Sequence, residues 1–160
     1  MVDHYISLFN HTHAMELGNA GLKSPAELYI MVVAFDIIKN MNYGDINRVF
    51  KITGRAELTD DFHIEDYVGE DVKNKYVFKK RNVSWMSPLI SCLDTRLWSF
   101  DYSLMEETEK MVRLAYEDCM QTSWDIEHVY FKLINKDKLI EKDVIGLKCQ
   151  VASDGRIQYD

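Results

Sequence analysis

The segment from Ser103 to about residue 120 carries the pattern of a capped amphipathic helix. Ser103 and Glu106 stand at the spacing of a capping box, in which the two side chains bond each other's backbone N–H groups. Small and apolar side chains then recur at helical spacing along one face: Leu104, Thr108, Met111, Val112, Ala115 and Cys119. Because a helix with one apolar face must pack against another element, the sequence predicts a layered fold.

Two runs after this helix, residues 126–134 and 144–152, alternate in polarity as half-buried strands do. The apolar side chains that share one face are Val129, Phe131 and Leu133 in the first run and Ile145, Leu147, Cys149 and Val151 in the second. Asp154-Gly155 is typical of a tight turn, so residues 156–159 would form a short final strand at a sheet edge.

The first half of the chain predicts one long helix and several short strands. Ser24-Pro25-Ala26-Glu27 has the residues of a helix start, and the apolar run behind it predicts a helix to about residue 41. Strands are expected at residues 48–53, 75–79 and 83–86, with the last two paired across Lys80-Arg81-Asn82. The acidic stretch between Glu57 and Asp71 is expected to be a loop.

These elements predict an α+β fold with a mostly antiparallel sheet. Its two main helices would span about 25–41 and 103–120, and the second helix would cover a C-terminal β-hairpin. At 160 residues, with 47% hydrophobic residues and no linker-like composition, the chain fits a single domain of residues 1–160. Trp85, Trp98 and Trp124 flank the second helix, and at least two of them are expected in the core.

The composition of the chain and the absence of known motifs argue against several classes of function. A net charge of −7 opposes binding to nucleic acid, and the most apolar run, residues 28–38, is too short to span a membrane. The N-terminus does not resemble a signal peptide. Three widely spaced cysteines predict reduced thiols, and there is no phosphate-binding loop or nucleophile elbow. We therefore predict no catalytic residues, no metal, no cofactor and no small-molecule substrate.

Two alternative functions remain open from the residues themselves. His11-Thr12-His13 follows a possible strand, Tyr5 to Phe9, and two imidazoles at a strand end can hold a metal, so a metal-dependent hydrolase is one alternative. The acidic stretch from Glu57 to Asp71 favours a small inhibitor, such as an immunity or anti-defence protein, that binds a basic partner.

The order of elements in residues 83–152 resembles the lysozyme-like baseplate wedge family of contractile phage tails. The resemblance is carried by the run Pro88 to Phe100, the helix from Ser103, and Trp124-Asp125-Ile126 followed by alternating strands. The family's Glu-Pro-Arg corner is represented only by Ser123-Trp124-Asp125. The resemblance implies a non-enzymatic baseplate or sheath-initiating component, located in the virion or the host cytoplasm.

In that role the protein would bind other protein subunits of a larger assembly by β-strand addition. An exposed sheet edge supplies backbone hydrogen bonds for such pairing, while alternate side chains fix the register. The residues predicted to bind the partner are Val144, Ile145, Leu147, Cys149, Val151, Arg156, Ile157 and Tyr159.

Overall fold

The structure, a computed structural model, describes residues 11–40, 46–150 and 155–160. The helices in these ranges are α1 (Thr12–Asn19), α2 (Lys23–Asn40), α3 (Met105–Thr122) and α4 (Ile126–Leu133). The strands are β1 (Arg48–Ile52), β2 (Ala56–Leu58), β3 (Tyr76–Lys79), β4 (Asn82–Val83), β5 (Ser91–Cys92), β6 (Leu97–Asp101), β7 (Leu139–Lys142), β8 (Leu147–Gln150) and β9 (Ile157–Tyr159). The fold is α+β with mostly antiparallel sheets, as predicted.

The strands form three separate sheets. The first has the order β1-β6-β3-β7, in which only the β3–β7 pair is parallel. The second has the order β2-β8-β9, and β4 and β5 form a two-stranded hairpin. None of the described helices is long and apolar enough to cross a bilayer.

The main core lies between the first sheet and helices α2, α3 and α4. Trp98 is at its centre, where its ring stacks on Phe78 at 5.1 Å and receives the edge of Tyr130 at 5.5 Å. The predicted face of the second helix is buried here as expected: Leu104, Thr108, Met111, Val112, Ala115 and Cys119. Since Trp85 and Trp124 are exposed, the prediction that at least two tryptophans lie in the core is wrong.

Both main helices occur near their predicted positions, but their starts differ from prediction. Ser24 lies inside α2, where its Oγ accepts the Ile126 N–H at 3.2 Å. Asp101, rather than Ser103, caps the 3₁₀ turn Tyr102–Leu104 that precedes α3, because its carboxylate accepts the Ser103 N–H at 2.9 Å. Residue 41, the predicted end of the first helix, lies outside the described residues, as does the possible strand from Tyr5 to Phe9.

The predicted strand at 126–134 is wrong, because this segment is helix α4. Asp125 caps it by accepting the His128 N–H at 3.1 Å. Its buried residues Ile126, Val129 and Tyr130 follow helical spacing, which competes in this short run with the alternation of apolar residues. The predicted hairpin of 126–134 with 144–152 therefore does not form.

Two other predicted pairings also differ. β3 lies between β6 and β7 instead of pairing with residues 83–86, and β4 pairs with β5. The C-terminal hairpin consists of β8 and β9, and β8 packs on Leu97, with Phe50 and Phe62 beside it, whereas α3 packs on α2, α4 and β6. The second helix therefore does not cover this hairpin. The strand predicted at 48–53 is confirmed as β1.

Candidate functional site

The structure divides the predicted partner-binding residues into a buried set and an exposed set. β8 is the central strand of its sheet, so the prediction that it offers a free edge is wrong. Its residues Leu147 and Cys149, with Ile145 just before them, are buried against Leu97 and belong to the core. Val144 is exposed, whereas Val151 lies outside the described residues.

β9 is one of the two edge strands of this sheet, with β2 at the other edge, and it lies beside the exposed Arg156. Asp160 donates its backbone N–H to the Leu147 carbonyl at 3.1 Å, across from β8. Because backbone groups alternate in direction along a strand, those of Ile157 and Tyr159 point away from β8. Their side chains are 50% and 65% exposed. β9 therefore presents two residues whose main chain and side chains both face outward.

The Asp160 carboxylate fixes the end of β9. Its two oxygens accept the Ile145 and Leu147 N–H groups at 2.7 and 2.6 Å, and Lys79 Nζ lies 3.9 Å away. The side chain is almost fully buried. Buried hydrogen bonds to a charged acceptor are stronger than neutral ones, so this short edge strand is held firmly at one end.

The hairpin segment 83–90, which we call the Trp85 loop, carries the two most exposed large apolar side chains of the described residues. Trp85 is 83% exposed and Leu89 is 93% exposed, and Val83 and Met86 also face solvent. The segment contains no charged residue. Single exposed apolar side chains are common on protein surfaces and need no explanation. A group of several exposed apolar side chains more often marks a binding surface.

Backbone hydrogen bonds hold the Trp85 loop in one shape. The Ser84 N–H donates to the Ile90 carbonyl at 2.8 Å, and the Ile90 N–H donates to the Ser87 carbonyl at 3.1 Å. The Ser84 Oγ accepts the Met86 N–H at 2.9 Å, and the Ser87 Oγ accepts the Leu89 N–H at 3.3 Å. The exposed side chains are therefore presented on an ordered frame.

A group of three polar side chains, of which Ser84 and His128 are buried and Asp125 is partly exposed, joins this loop to helix α4. His128 Nε2 lies 2.6 Å from the Ser84 Oγ, and His128 Nδ1 contacts the Asp125 carboxylate. The carboxylate fixes a proton on Nδ1, so Nε2 accepts the Ser84 hydroxyl proton. His128 is 2% exposed, and the Trp124 ring packs on it at 5.8 Å. We call Ser84, His128 and Asp125 the loop brace.

The loop brace has the donor–acceptor order of a serine–histidine–aspartate catalytic triad. Its surroundings, however, favour a structural role. Ser84 is buried, and its Oγ already accepts the Met86 N–H, which uses the hydroxyl as a turn-forming group. A nucleophile needs access to substrate and a free approach to its oxygen. We therefore interpret the three side chains as a support for the exposed loop.

An open polar cavity of about 250 Å³ lies where α2, β1 and α4 meet. The Lys51 ammonium contacts the Glu27 carboxylate and donates to the Thr95 carbonyl at 2.6 Å. The Thr95 hydroxyl donates to Glu127 at 3.0 Å. Burial, with Asp125 and Glu27 nearby, raises the pKa of the Glu127 carboxyl. The cavity wall is thus a charged network that is largely paired within the chain.

The structure places His11 and His13 around α1 rather than at a described strand end. His11 is the residue before α1 and His13 is in its first turn. Both rings contact Tyr29, at 5.1 and 4.6 Å, and His13 Nε2 lies 3.3 Å from the Tyr116 hydroxyl. The described residues contain no group of three or more His, Cys, Asp or Glu side chains that could hold a metal ion.

The acidic stretch from Glu57 to Asp71 includes β2 residues and the 3₁₀ turn Ile64–Tyr67, and part of its charge is paired. Glu57 contacts Lys148 and Asp66 contacts Lys142, both at 2.9 Å. The basic cluster that follows this stretch pairs mostly with later acidic residues: Lys79 with Asp160, Lys80 with Asp143, Arg81 with Glu141 and Lys73 with Glu70.

Sequence reasoning missed the Trp85 loop because residues 83–86 were assigned to a strand and the tryptophans to the core. The available signal was the uncharged run from Asn82 to Cys92, which contains Trp85 and Pro88. The chain matches no protein-family model, and no curated protein or solved structure shows significant similarity to it.

Proposed function

We propose that this protein is a non-enzymatic component of a larger protein assembly and that it binds its partner through the Trp85 loop. The observation that carries the proposal is the exposure of Trp85 and Leu89 on an uncharged, internally hydrogen-bonded loop. Tryptophan is enriched among the residues that dominate protein–protein binding energies.

The energetics suit a binding loop. Transfer of an exposed large apolar side chain into a partner's surface contributes about 1.5–3 kcal/mol. The loop brace keeps the Ser84 end of the loop in place before binding, which reduces the entropy that binding must remove. No charge of the segment 83–90 has to be desolvated. Trp85 and Leu89 together are therefore expected to supply most of the affinity of this surface.

Strand addition at β9 is a second mode of binding for the same assembly function. The outward-facing backbone of Ile157 and Tyr159 and their exposed side chains support it. An added strand would extend the β2-β8-β9 sheet by pairing with β9, not with β8. Of the strand addition predicted from the sequence, pairing with β9 is compatible with this fold, whereas pairing with β8 is not.

The more specific prediction of a phage baseplate or sheath-initiating component stays a prediction. It rests on the likeness of residues 83–152 to the baseplate wedge family, in which the segment after Trp124 was expected to be a strand. That segment is helix α4, so the likeness now depends mainly on the run Pro88 to Phe100 and on α3. The alternatives of an acidic inhibitor and a metal-dependent hydrolase also stay predictions.

Site-specific photo-crosslinking tests the proposed surface. A photoreactive amino acid replaces Leu89 in one variant and Leu114, an exposed leucine on α3, in a control. In the native cell extract, we expect crosslinks to defined protein partners from position 89, abolished by Trp85→Ala, and none above background from position 114. Equal crosslinking from both positions, or crosslinks at position 89 that are insensitive to Trp85→Ala, would refute the proposal.

A further inference from the structure

The polar cavity between α2, β1 and α4 also borders the second sheet, because Arg55, Gln150 and Gln158 line it. Its lining residues are polar or charged except for Cys149. Its volume of about 250 Å³ lies below the range of about 300–1,000 Å³ that is typical of sites for drug-sized ligands. The cavity therefore offers hydrogen bonds and charges to a small polar molecule.

Most charges in this cavity are paired within the chain, but Arg55 is an exception. Lys51 contacts Glu27, and the Arg96 Nε donates to the two oxygens of Asp94 at 2.9 and 3.0 Å. The Arg55 side chain forms no ion pair or hydrogen bond with the described residues. The cavity thus contains one guanidinium that is available to an anionic group.

Glu127 is the acidic counterpart of Arg55 in the same cavity. One of its carboxylate oxygens accepts the Thr95 hydroxyl at 3.0 Å, and no cation of the described residues forms an ion pair with it. Burial, with Asp125 and Glu27 nearby, raises the pKa of this carboxyl. Since a positive charge nearby favours the ionised form, a cationic group of a ligand would stabilise the Glu127 carboxylate.

Backbone hydrogen bonds hold the segment that carries Arg55. The Thr53 N–H donates to the Arg96 carbonyl at 2.8 Å, and the Ala56 N–H donates to the Thr53 carbonyl at 3.1 Å. The Gln150 N–H donates to the Arg55 carbonyl at 3.2 Å. The backbone of this cavity wall is therefore ordered before a ligand binds, which reduces the entropy that binding must remove.

We propose that this cavity binds a free α-amino acid with a polar side chain, whose carboxylate pairs with Arg55 and whose ammonium pairs with Glu127. Such a ligand carries one charge of each sign, as the two unpaired groups of the cavity require. The side chains of Thr53, Gln150 and Gln158 favour a polar ligand over an apolar one, because an apolar group would leave their hydrogen-bonding atoms without partners. This ligand site is separate from the Trp85 loop and goes beyond the proposed function.

Titration of the purified protein with each standard L-amino acid, followed by isothermal titration calorimetry, tests the site. We expect one or more amino acids with polar side chains to bind in the millimolar range or below, and leucine and phenylalanine not to bind. Arg55→Gln and Glu127→Gln should each weaken binding by about tenfold or more, because each removes a charge-assisted hydrogen bond. The same changes on α3, Arg113→Gln and Glu106→Gln, are the controls and should bind as the wild type does.

Analogues of the amino acid that binds distinguish its two charged groups. The analogue without the α-ammonium should lose affinity for the wild type and show no further loss in Glu127→Gln. Equal binding of this analogue and its parent would overturn the proposal, because the site would then recognise an anion alone. Binding of no standard amino acid, or binding that neither cavity variant weakens, would overturn it as well. Arg55 is exposed, so Arg55→Gln should remain folded, and its melting temperature checks this. Crosslinking from position 89 tests the proposed function independently of all these outcomes.

Discussion

The Trp85 loop and strand β9 both face outward, but they offer different chemistry to a partner. The loop uses backbone groups in its own Ser84–Ile90 and Ile90–Ser87 hydrogen bonds and presents side chains to a partner. β9 presents backbone groups along its free edge, with Ile157 and Tyr159 beside them. Recognition at the loop should depend on the identity of a few side chains, whereas recognition at β9 should tolerate substitution and require an extended partner.

The two surfaces are also supported differently. The loop is held by His128, a side chain of the main layered core, whereas β9 is held by the Asp160 carboxylate within the smaller second sheet. Mutations that remove one support should leave the other surface intact. This separation gives three measurements that can break or sharpen the comparison, and a fourth measurement concerns the polar cavity lined by Glu127.

The largest effect is expected from Gly146→Ala, just before β8. Gly146 has a φ of +68°, and an added Cβ would lie 2.1 Å from the Phe62 backbone nitrogen. The strand and the backbone at Phe62 must separate, so we expect a loss of about 4 kcal/mol or more in the free energy of unfolding by urea. Gly54→Ala, where nothing lies within 4 Å of the added Cβ, is the control and should change stability by less than about 0.5 kcal/mol.

If the two surfaces are separate, hydrogen exchange in Gly146→Ala should accelerate in β8 and β9 much more than at Met86 and Ile90 of the Trp85 loop. Equal acceleration in both places would show that the two regions unfold together and would contradict the comparison.

His128→Ala should have the next largest effect, centred on the Trp85 loop. The substitution leaves the buried Ser84 hydroxyl without its acceptor and opens a cavity beside Trp124, at a cost of about 2–3 kcal/mol in unfolding free energy. His63→Ala, at an exposed histidine, is the control. Hydrogen exchange should increase at Met86 and Ile90. Unchanged exchange there would mean that the brace does not order the loop.

Asp160→Asn should weaken β9 with a smaller effect on overall stability. The amide keeps the shape of the carboxylate but cannot accept two N–H groups through two charged oxygens, so we expect a loss of about 1–2 kcal/mol. Hydrogen exchange at Ile145 and Leu147, whose amides bond the carboxylate, reports the change. Asp143→Asn, at an exposed aspartate paired with Lys80, should leave this exchange unaltered. Retained protection at Leu147 in Asp160→Asn would refute the anchoring role.

Glu127→Gln should give the smallest effect, and it should depend on pH. Burial raises the pKa of this carboxyl, so the folded state binds the proton more tightly than the unfolded state. The stability that this proton contributes is therefore lost as the pH rises from the unfolded-state pKa through the folded-state pKa. Glutamine still accepts the Thr95 hydroxyl and cannot ionise, so the variant should gain up to about 1 kcal/mol at about pH 7.

The gain should vanish at about pH 4, below the unfolded-state pKa, where Glu127 is largely protonated in both states. Urea unfolding at both pH values measures it, with Glu106→Gln on the exposed face of α3 as the control. An equal effect of Glu127→Gln at the two pH values would contradict the assigned cause.

The helices were the most predictable part of the fold, because their patterns are long. The face of α3 from Met111 to Cys119 is buried as its spacing predicts. The eight residues of α4 satisfy both helical and alternating patterns, and only the Asp125 cap with its bond to the His128 N–H distinguishes them. In an amphipathic run this short, the capping residue is therefore needed to distinguish a helix from a strand. The alternation of apolar residues alone predicted a strand.

The candidate site was less predictable, because it depends on contacts between distant residues. Ser84 contacts His128, which is 44 positions away in the sequence, and no local sequence pattern predicts that contact. β8 was expected to have a free edge, but β2 occupies it through pairs such as Ala56 with Cys149. Only the final strand, which has no later segment among the described residues to cover it, matched its predicted edge position.

The pairing of β2 with β8 also has a consequence for biosynthesis. Leu58 lies opposite Leu147, so a nascent chain has made β2 long before the ribosome supplies its neighbour. Long-range pairing of this kind slows folding and leaves strand edges unprotected in the meantime. The first sheet, by contrast, can begin with β1, β3 and β6 once the chain as far as Asp101 has emerged. Translation should therefore yield a helix-and-sheet intermediate whose second sheet closes only after β8 and β9 have emerged.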